Sequence, residues 1–415
     1  MKYNGKFYFL LVCLLLFGML NTGFADEAIN LKVATYQWSE KNFDAVYGDI
    51  IIPTFESEYP NVTVEKYNIP SISYWDKMAM EIAAGIPADV VAFSTSFLSQ
   101  YINDDLLEPI DKWVNIDIND ERLIASHEYA RKDGKLYGIA INTHPRVLMY
   151  NKKMFDQYNV KVPTTPEEFV DAAQKLTDAP YRYGFAMETT NDPERLFKSF
   201  IPFVLGFGGH VAKEGVLTVD SPEVIKALQL YKEFLDKNLV PRDTMSSALR
   251  QMFWEEKIGM LIDGQYVFGL IKAEQPEIYP SIAAALIPFE GPAMSVSIFL
   301  TIPKDAKHKK EAGEFLEVVL RQEMQEKQAT IMGTLPAYGK YVVPESYIEE
   351  NTFVNTFLQA AEHSATEAPP GLEIYAPYII RAVGEMLNKV LYLGVEPAEA
   401  AKETQKDIEN YLKEN

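Results

Sequence analysis

Along this chain, apolar and polar residues alternate in two rhythms that predict strands and helices in turn. Leu31-Lys32-Val33-Ala34-Thr35-Tyr36 reads as a first strand. Val62-Thr63-Val64-Glu65-Lys66-Tyr67 alternates as a second strand does, with a helix ending near Phe55–Pro60 between them. Tyr74 to Ala84 has helical periodicity and stops at Gly85, with Pro87 just beyond. Asp89-Val90-Val91-Ala92-Phe93 is apolar after its first residue, the pattern of a strand buried on both faces. Strand, helix, strand, helix, strand predicts a parallel α/β sheet.

The stretch from Asp133 to Phe155 breaks this rhythm. Leu136 to Ile141 reads as a buried strand, Asn142-Thr143-His144-Pro145-Arg146 as a polar break, and Val147 to Tyr150 as a second strand. No helix fits between the two strands, so one lobe hands the chain to another here. Beyond it, Pro166–Thr177 predicts a helix with Phe169, Ala172, Ala173 and Leu176 on one face, and Tyr183–Met187 a strand. Arg195–Val204 predicts a helix, and Ser221-Pro222-Glu223 a helix start with Ser as cap and Pro at the first position. Ala283–Pro288 and Ser297–Pro303 predict short strands, Lys309–Met332 a helix, and the last 80 or so residues a helical end.

The first 25 residues have the three parts of an export signal: Lys2 and Lys6, an apolar run from Phe7 to Leu20, and Gly23-Phe24-Ala25 as a cleavage site. The run is about 14 residues long, short of the roughly 20 that span a membrane. Cleavage after Ala25 and export to the periplasm or the extracellular face are expected. Cys13 is the only cysteine. It lies inside the run, between Val12 and Leu14, where a lipoprotein signal would not place it. The mature chain is therefore expected to have no disulfide and no thiolate chemistry. Loss of Lys2 and Lys6 takes the formal charge from −20 to −22, which opposes nucleic acid and anionic membrane as partners. The length suggests two domains.

Familiar catalytic and metal-binding spacings fail. None of the five histidines is paired at i,i+4, and Arg131 stands where a second zinc ligand would follow His127-Glu128. No Gly-x-Ser-x-Gly elbow occurs. Arg122 replaces the glycine that a calcium loop over Asp117–Glu121 would need. No catalytic residue, metal or cofactor is expected. A secreted carbohydrate-active enzyme needs only two carboxylates at a set separation, and with 59 acidic residues that class stays open. No acidic residue stands out by its setting, and the order of elements and the interrupted lobes argue for a binding clamp. A binding protein for a non-sugar solute is a further alternative.

Gly134-Lys135, Tyr137-Gly138, Leu148, Tyr150-Asn151-Lys152 and Phe155 resemble the signature of carbohydrate-type extracellular solute-binding proteins, the capture subunits of ABC importers and relatives of maltose- and multiple-sugar-binding proteins. Phe253 to Gly264 is similar to a second phrase of that family. The resemblance implies an α/β fold of two lobes, each a mostly parallel sheet flanked by helices, joined by hinge segments. It implies three crossings, near Asn142–His144, Ile287–Gly291 and Gly333–Pro336. The expected first lobe is 26–142 with 289–333, and the second 143–288 with 334–415. It also implies a sugar or oligosaccharide ligand, permease transmembrane subunits as partners, and a monomer.

In open α/β sheets the ligand sits beyond the carboxyl ends of the strands. That rule selects Trp38 as a stacking platform and Glu40 as an acceptor after the first strand, and Ser94, Thr95 and Ser96 after the third. Asn142, His144 and Arg146 lie at the first crossing, where Arg146 could pair with a carboxylate of an acidic sugar. Glu188 and Asn191 follow the strand at Tyr183. Asp263, Gly264, Gln265 and Tyr266 match a family loop where Trp is common. Ser297, Tyr338 and Tyr375 complete the expected set.

Overall fold

The computed structural model describes residues 28–414. The expected signal segment, with Cys13 and Ala25, lies outside the described residues.

The first sheet begins as the pattern predicts. β1 (Ile29–Thr35), β2 (Val62–Asn68) and β3 (Val90–Ser94) run parallel, with β1 between the other two. Every residue of β3 is buried. Between β2 and β3, helix α1 (Ser71–Ala83) turns Tyr74, Met78 and Ile82 inward, the i,i+4,i+8 positions of one helical stripe. The Tyr74 hydroxyl lies 2.8 Å from Ala34 O and 2.9 Å from Ala92 O, stitching β1 to β3. Helix α2 (Thr95–Asn103) starts directly after β3, and β4 (Leu107–Glu108) follows it.

β5 (Ile139–Pro145) is the last strand of this region, and after Arg146 alone the chain enters the second sheet as β6 (Val147–Asn151). Most of the expected polar break is therefore strand. Its backbone finds partners on a strand more than a hundred residues later, which local polarity does not reveal. The second sheet adds β7 (Tyr183–Ala186), β8 (Ile258–Asp263) and β9 (Ile282–Ala285), in the order β9-β6-β8-β7. Helix α3 (Pro193–Gly206) covers it after β7, and the expected Ser221 cap accepts from Val224 N at 3.4 Å.

The chain returns along β10 (Ala293–Pro303), which pairs antiparallel with β3, β4 and β5. β11 (Ser364–Thr366) pairs parallel with β10, a strand within a stretch expected to be helical. The loop over 286–292 between β9 and β10 rests on α3. Gly291 N donates to Gly206 O at 2.8 Å, and a Cβ at Gly291 would sit 2.0 Å from Leu205 O. The expected long helix from Lys309 is broken at Arg321, and Gly333, at φ 66°, ends its last turn in the left-handed conformation that glycine tolerates.

The sheets are mixed rather than mostly parallel, and the reason is topological. β1, β2 and β3 share one direction, as do β7, β8 and β9. Within each sheet these strands are separated by helices, which parallel neighbours require. β6 runs against both its neighbours, and β10 against β3, β4 and β5, because each arrives from the other sheet through a short link, and no crossover helix sets its direction. One apolar core underlies the first sheet, drawn from residues 31–141 and 298–337. Another, rich in phenylalanine, lies against the second and takes in the long helix Ala376–Tyr392.

His127 is sealed in the first core. Its Nδ1 lies 3.1 Å from Ile124 O, and its Nε2 accepts from Ala140 N at 3.2 Å. Only the neutral ring with its proton on Nδ1 satisfies both. Burial lowers its pKa from 6.5 to about 4. The unfolded chain thus binds the proton first, so this stabilisation is complete above pH 6.5 and is lost as pH falls toward about 4. The loss should approach roughly 3 kcal/mol. Thermal unfolding followed against pH should fall more steeply in this window for the wild type than for His127→Gln. Equal slopes would mean that His127 does not carry the effect.

Candidate functional site

The strand ends of the two sheets meet at the β5–β6 link, and the site is assembled around it. After β1, Thr35 Oγ1 accepts from Gln37 N at 3.1 Å and caps a tight turn over Tyr36–Ser39. That turn points Trp38 into the first core. Its indole N–H donates to Val33 O at 2.9 Å, and its ring meets Phe43 edge-on at 5.1 Å. The expected stacking role of Trp38 is therefore corrected: its ring and its donor are committed to the lobe. Tyr36 takes the half-buried position. It contacts Trp75 edge-on at 5.9 Å, and Trp75 stacks on Phe97 at 4.5 Å. The three rings form an aromatic wall beside Glu40. Glu40 is open to water yet surrounded by enough protein for desolvation to raise its pKa.

Ser94, Thr95 and Ser96 are all buried at the β3–α2 junction. Thr95 Oγ1 bonds both Ser297 O (3.2 Å) and Ser297 N (3.1 Å), fastening α2 to β10. Ser297 Oγ is 2.8 Å from Thr143 Oγ1. Thr95 and Ser297 line a cavity of about 210 Å³ together with Ser126, Tyr129, Ser295, Ser364 and Thr366. A larger, more open hollow of about 460 Å³ lies elsewhere on the first lobe, around Asn119–Glu121 and Arg131.

On β5, the pairing with β10 slips by one residue: Asn142 lies opposite Ile298, but Ala140 lies opposite Phe299. Such a bulge re-aims the side chains that follow it. Asn142 and His144 share one face, and Thr143 has the other. Asn142 Nδ2 donates to Gln37 Oε1 at 3.3 Å. His144 meets the Tyr266 ring edge-on at 5.3 Å. Burial, then the charge of Arg146, lowers its pKa to about 3, so its ring is neutral near pH 7.

Arg146 does not wait for an acidic ligand, as the sequence suggested. It pairs with Asp263. Arg250, on helix α4 (Ser246–Trp254), reaches the other oxygen of Asp263 at 2.6 Å and the Tyr266 hydroxyl at 2.6 Å. Tyr266 donates back to Asp263 Oδ1 at 2.8 Å, and Gly264 N donates to the same atom at 2.8 Å. The Arg250 guanidinium has its pKa lowered, chiefly by burial. Asp263 is thus saturated, and it sets the orientation of Tyr266.

Other expected residues stand apart. Glu188 is buried and committed to its own lobe: it accepts from Thr190 Oγ1 (2.6 Å) and from Ser246 N (2.8 Å) and Oγ (2.6 Å), capping α4. The expected role of Glu188 in taking ligand hydroxyls has no free oxygen to use. Asn191 is exposed nearby. Tyr338 lies under Arg122, 4.8 Å from its guanidinium, and Tyr375 packs with the second core near Tyr411. The sequence reading did not single out Tyr36, Arg250 or Glu367. Tyr36 had a signal, as the first residue past β1; Arg250 and Glu367 had none in their local setting.

Among the described residues, nine buried side-chain polar atoms lack a hydrogen-bond partner, and five of them cluster here: Asn142 Oδ1, His144 Nδ1, Gln265 Oε1, Ser295 Oγ and Glu367 Oε2. Buried polar atoms are ordinarily satisfied, so this concentration marks a place where partners come from outside the chain. No group of His, Cys, Asp and Glu able to hold a metal is found among the described residues, nor a helix long and apolar enough to cross a membrane.

Comparison with known proteins agrees with this architecture. A binding protein of Brucella abortus is 26% identical over 333 residues, 78% of this chain and 79% of its own length. The diacetylchitobiose-binding protein of Streptomyces coelicolor is 26% identical over 219 residues, about half of each chain. Among solved structures, an ABC transporter solute-binding protein of Thermotoga lettingae bound to α-D-tagatose has 23% identity and a TM-score of 0.79, over 92% of this chain and 97% of its own. The acarbose-binding receptor of Streptomyces glaucescens has 20% identity and a TM-score of 0.81, over 93% and 99%. These structural likenesses establish the two-lobed fold. The profile of the bacterial extracellular solute-binding protein family matches residues 51–352, a span that includes both the β5–β6 link and the Asp263–Tyr266 loop, and this chain belongs to that family.

Proposed function

We propose that this chain is the extracytoplasmic capture subunit of an ABC importer, which takes a sugar or oligosaccharide between its lobes by hinge closure and delivers it to the permease subunits in the membrane. The observation that carries the reading is the convergence of unpartnered buried polar atoms with aromatic rings at the strand ends of both sheets. A sugar presents apolar C–H faces and many hydroxyls. Rings accept the first by stacking and burial. The second must each recover a hydrogen bond lost to water, or desolvation costs about 1–3 kcal/mol apiece. Asn142, His144 and Gln265 offer unfilled sites, and side-chain amides both donate and accept.

The ligand wall then comprises Tyr36, Glu40 and Trp75 on one side and Gln265 and Tyr266 on the other, with Asn142 and His144 between. Ser96, at the start of α2, completes the polar lining. The lobes are taken to be built on the two sheets, with the chain passing between them at the β5–β6 link and again in the loop over 286–292, and the mature chain is taken as a monomer starting after Ala25. Support for a carbohydrate also comes from relatives named for diacetylchitobiose and galactooligosaccharide.

The mature protein, residues 26–415, should show a raised melting temperature with one class of saccharide, because a ligand bound only to the folded state stabilises it by mass action. That sugar should be recovered unchanged after hours. Its consumption would instead make the chain an enzyme.

Tyr36→Ala and Trp75→Ala should each weaken the bound saccharide by roughly tenfold or more, with little change in the melting temperature of the free protein. Trp38→Ala should act the other way, costing about 3 kcal/mol of stability through its buried ring. Titration calorimetry and denaturant unfolding separate the two effects. Full affinity in both Tyr36→Ala and Trp75→Ala would remove the aromatic wall from the site.

A further inference from the structure

Glu367 follows β11, where the chain leaves the first sheet for the helical C-terminal region. It is 2% exposed. Its Oε1 accepts from Ser96 Oγ at the start of α2, while its Oε2 has no partner. Among the described residues no cationic side chain pairs with it. Buried carboxylates are normally paired with a cation or fully hydrogen-bonded; this one is neither.

Its surroundings say what it faces. Burial raises the pKa of the Tyr36 phenol, and so do the charges of Glu40 and Glu367 and the nearby Tyr266. Two carboxylates from different parts of the chain therefore share the neighbourhood of one phenol, beside the aromatic wall. The cations of the site lie with the second lobe, and they are spent: Arg146 and Arg250 both bind Asp263, and Arg250 also holds Tyr266. A solute carrying a carboxylate or phosphate would meet two carboxylates and find no free guanidinium. A neutral polyhydroxyl solute would supply the donor that Oε2 lacks.

We propose that Glu367 is a specificity-determining residue of the solute site: its free oxygen accepts a hydroxyl hydrogen from a neutral sugar, and with Glu40 it excludes sugars bearing a carboxylate or phosphate. This rests on the reading that the space between the lobes holds a sugar. Charge assists such a hydrogen bond. A carboxylate held unpaired in the free protein is kept at the expense of stability, so its neutral isostere should fold at least as well.

The test compares wild type with Glu367→Gln, which keeps an acceptor for Ser96 and removes the charge. The probes are maltose, cellobiose, diacetylchitobiose, D-glucuronic acid and glucose phosphate, read by thermal shift and calorimetry. The expected result has three parts. Wild type binds one or more neutral sugars and neither anion. Glu367→Gln binds the same neutral sugar roughly tenfold more weakly or worse. The free variant melts no lower than wild type. Unchanged affinity in the variant overturns the proposal, as does wild-type preference for glucuronic acid or glucose phosphate. Should none of the five probes bind wild type, the sugar reading for this panel falls and the free protein decides Glu367. A lower melting temperature in Glu367→Gln then assigns the residue to the fold and overturns the proposal, whereas an equal or higher one upholds a carboxylate held for a solute.

Discussion

The antiparallel ladder between β5 and β10 is the constraint on which the rest of this molecule depends. It joins residues 139–145 to residues 295–300, segments that share no local signal. Arg146 N continues the pairing by donating to Met294 O at 2.7 Å. Two passages between the sheets are thereby laid side by side. Backbone hydrogen bonds in a buried ladder leave little freedom of register, because a slip of one residue would turn every side chain to the opposite face. The bulge beside Asn142 uses that rule locally, placing Asn142 and His144 toward the site and Thr143 toward the hydroxyls of Ser126 and Ser297.

Electrostatics complete what the ladder starts. Asp263 gathers Arg146 from the link, Arg250 from α4 and the hydroxyl of Tyr266. Removing charges from water is expensive, and a buried ion pair adds little net stability when its geometry only repays that cost. Its value here is positional. Arg146 stands on the link itself, so the cluster ties the link to the second lobe and presents the Tyr266 ring to His144. The carboxylates of Glu40 and Glu367 sit across from it without cations of their own. The site is polarised from one wall to the other, which a clamp closing on a neutral, hydroxyl-rich solute can use.

Unfilled hydrogen-bonding capacity is the second theme. Asn142, His144, Gln265 and Glu367 each keep a buried atom without a partner. Each such atom costs free energy in the unliganded protein, and the two apolar cores supply the margin that tolerates it. A ligand satisfying these atoms recovers that cost on binding, which favours the closed, ligand-bound form over an empty one.

Much of the architecture was legible in the chain alone. The β1–β2–β3 unit, the Ser221 cap and the pair of strands at 136–150 follow from periodicity and capping, because those signals depend on neighbours only a few residues apart, while the two-lobed class came from the resemblance to a known family. The direction of β6 and β10, the strand character of Asn142–Pro145 and the break at Arg321 did not follow. The strand directions and the strand character are set by backbone partners distant in the sequence, and Arg321 at the break is paired through its side chain with Glu58. At the candidate site, the strand-end rule pointed to the loops after β1, β3 and β8 but chose Trp38 where the turn leaves Tyr36 half-buried, and it left Arg146 free where Asp263 claims it. Sequence by itself determined which segments are strands and helices and where their polar ends fall, since hydrophobic period and turn chemistry are local. Which of those polar ends are consumed and which remain open to a ligand was decided only by the tertiary structure, because hydrogen-bond and charge satisfaction is counted over all neighbours in space.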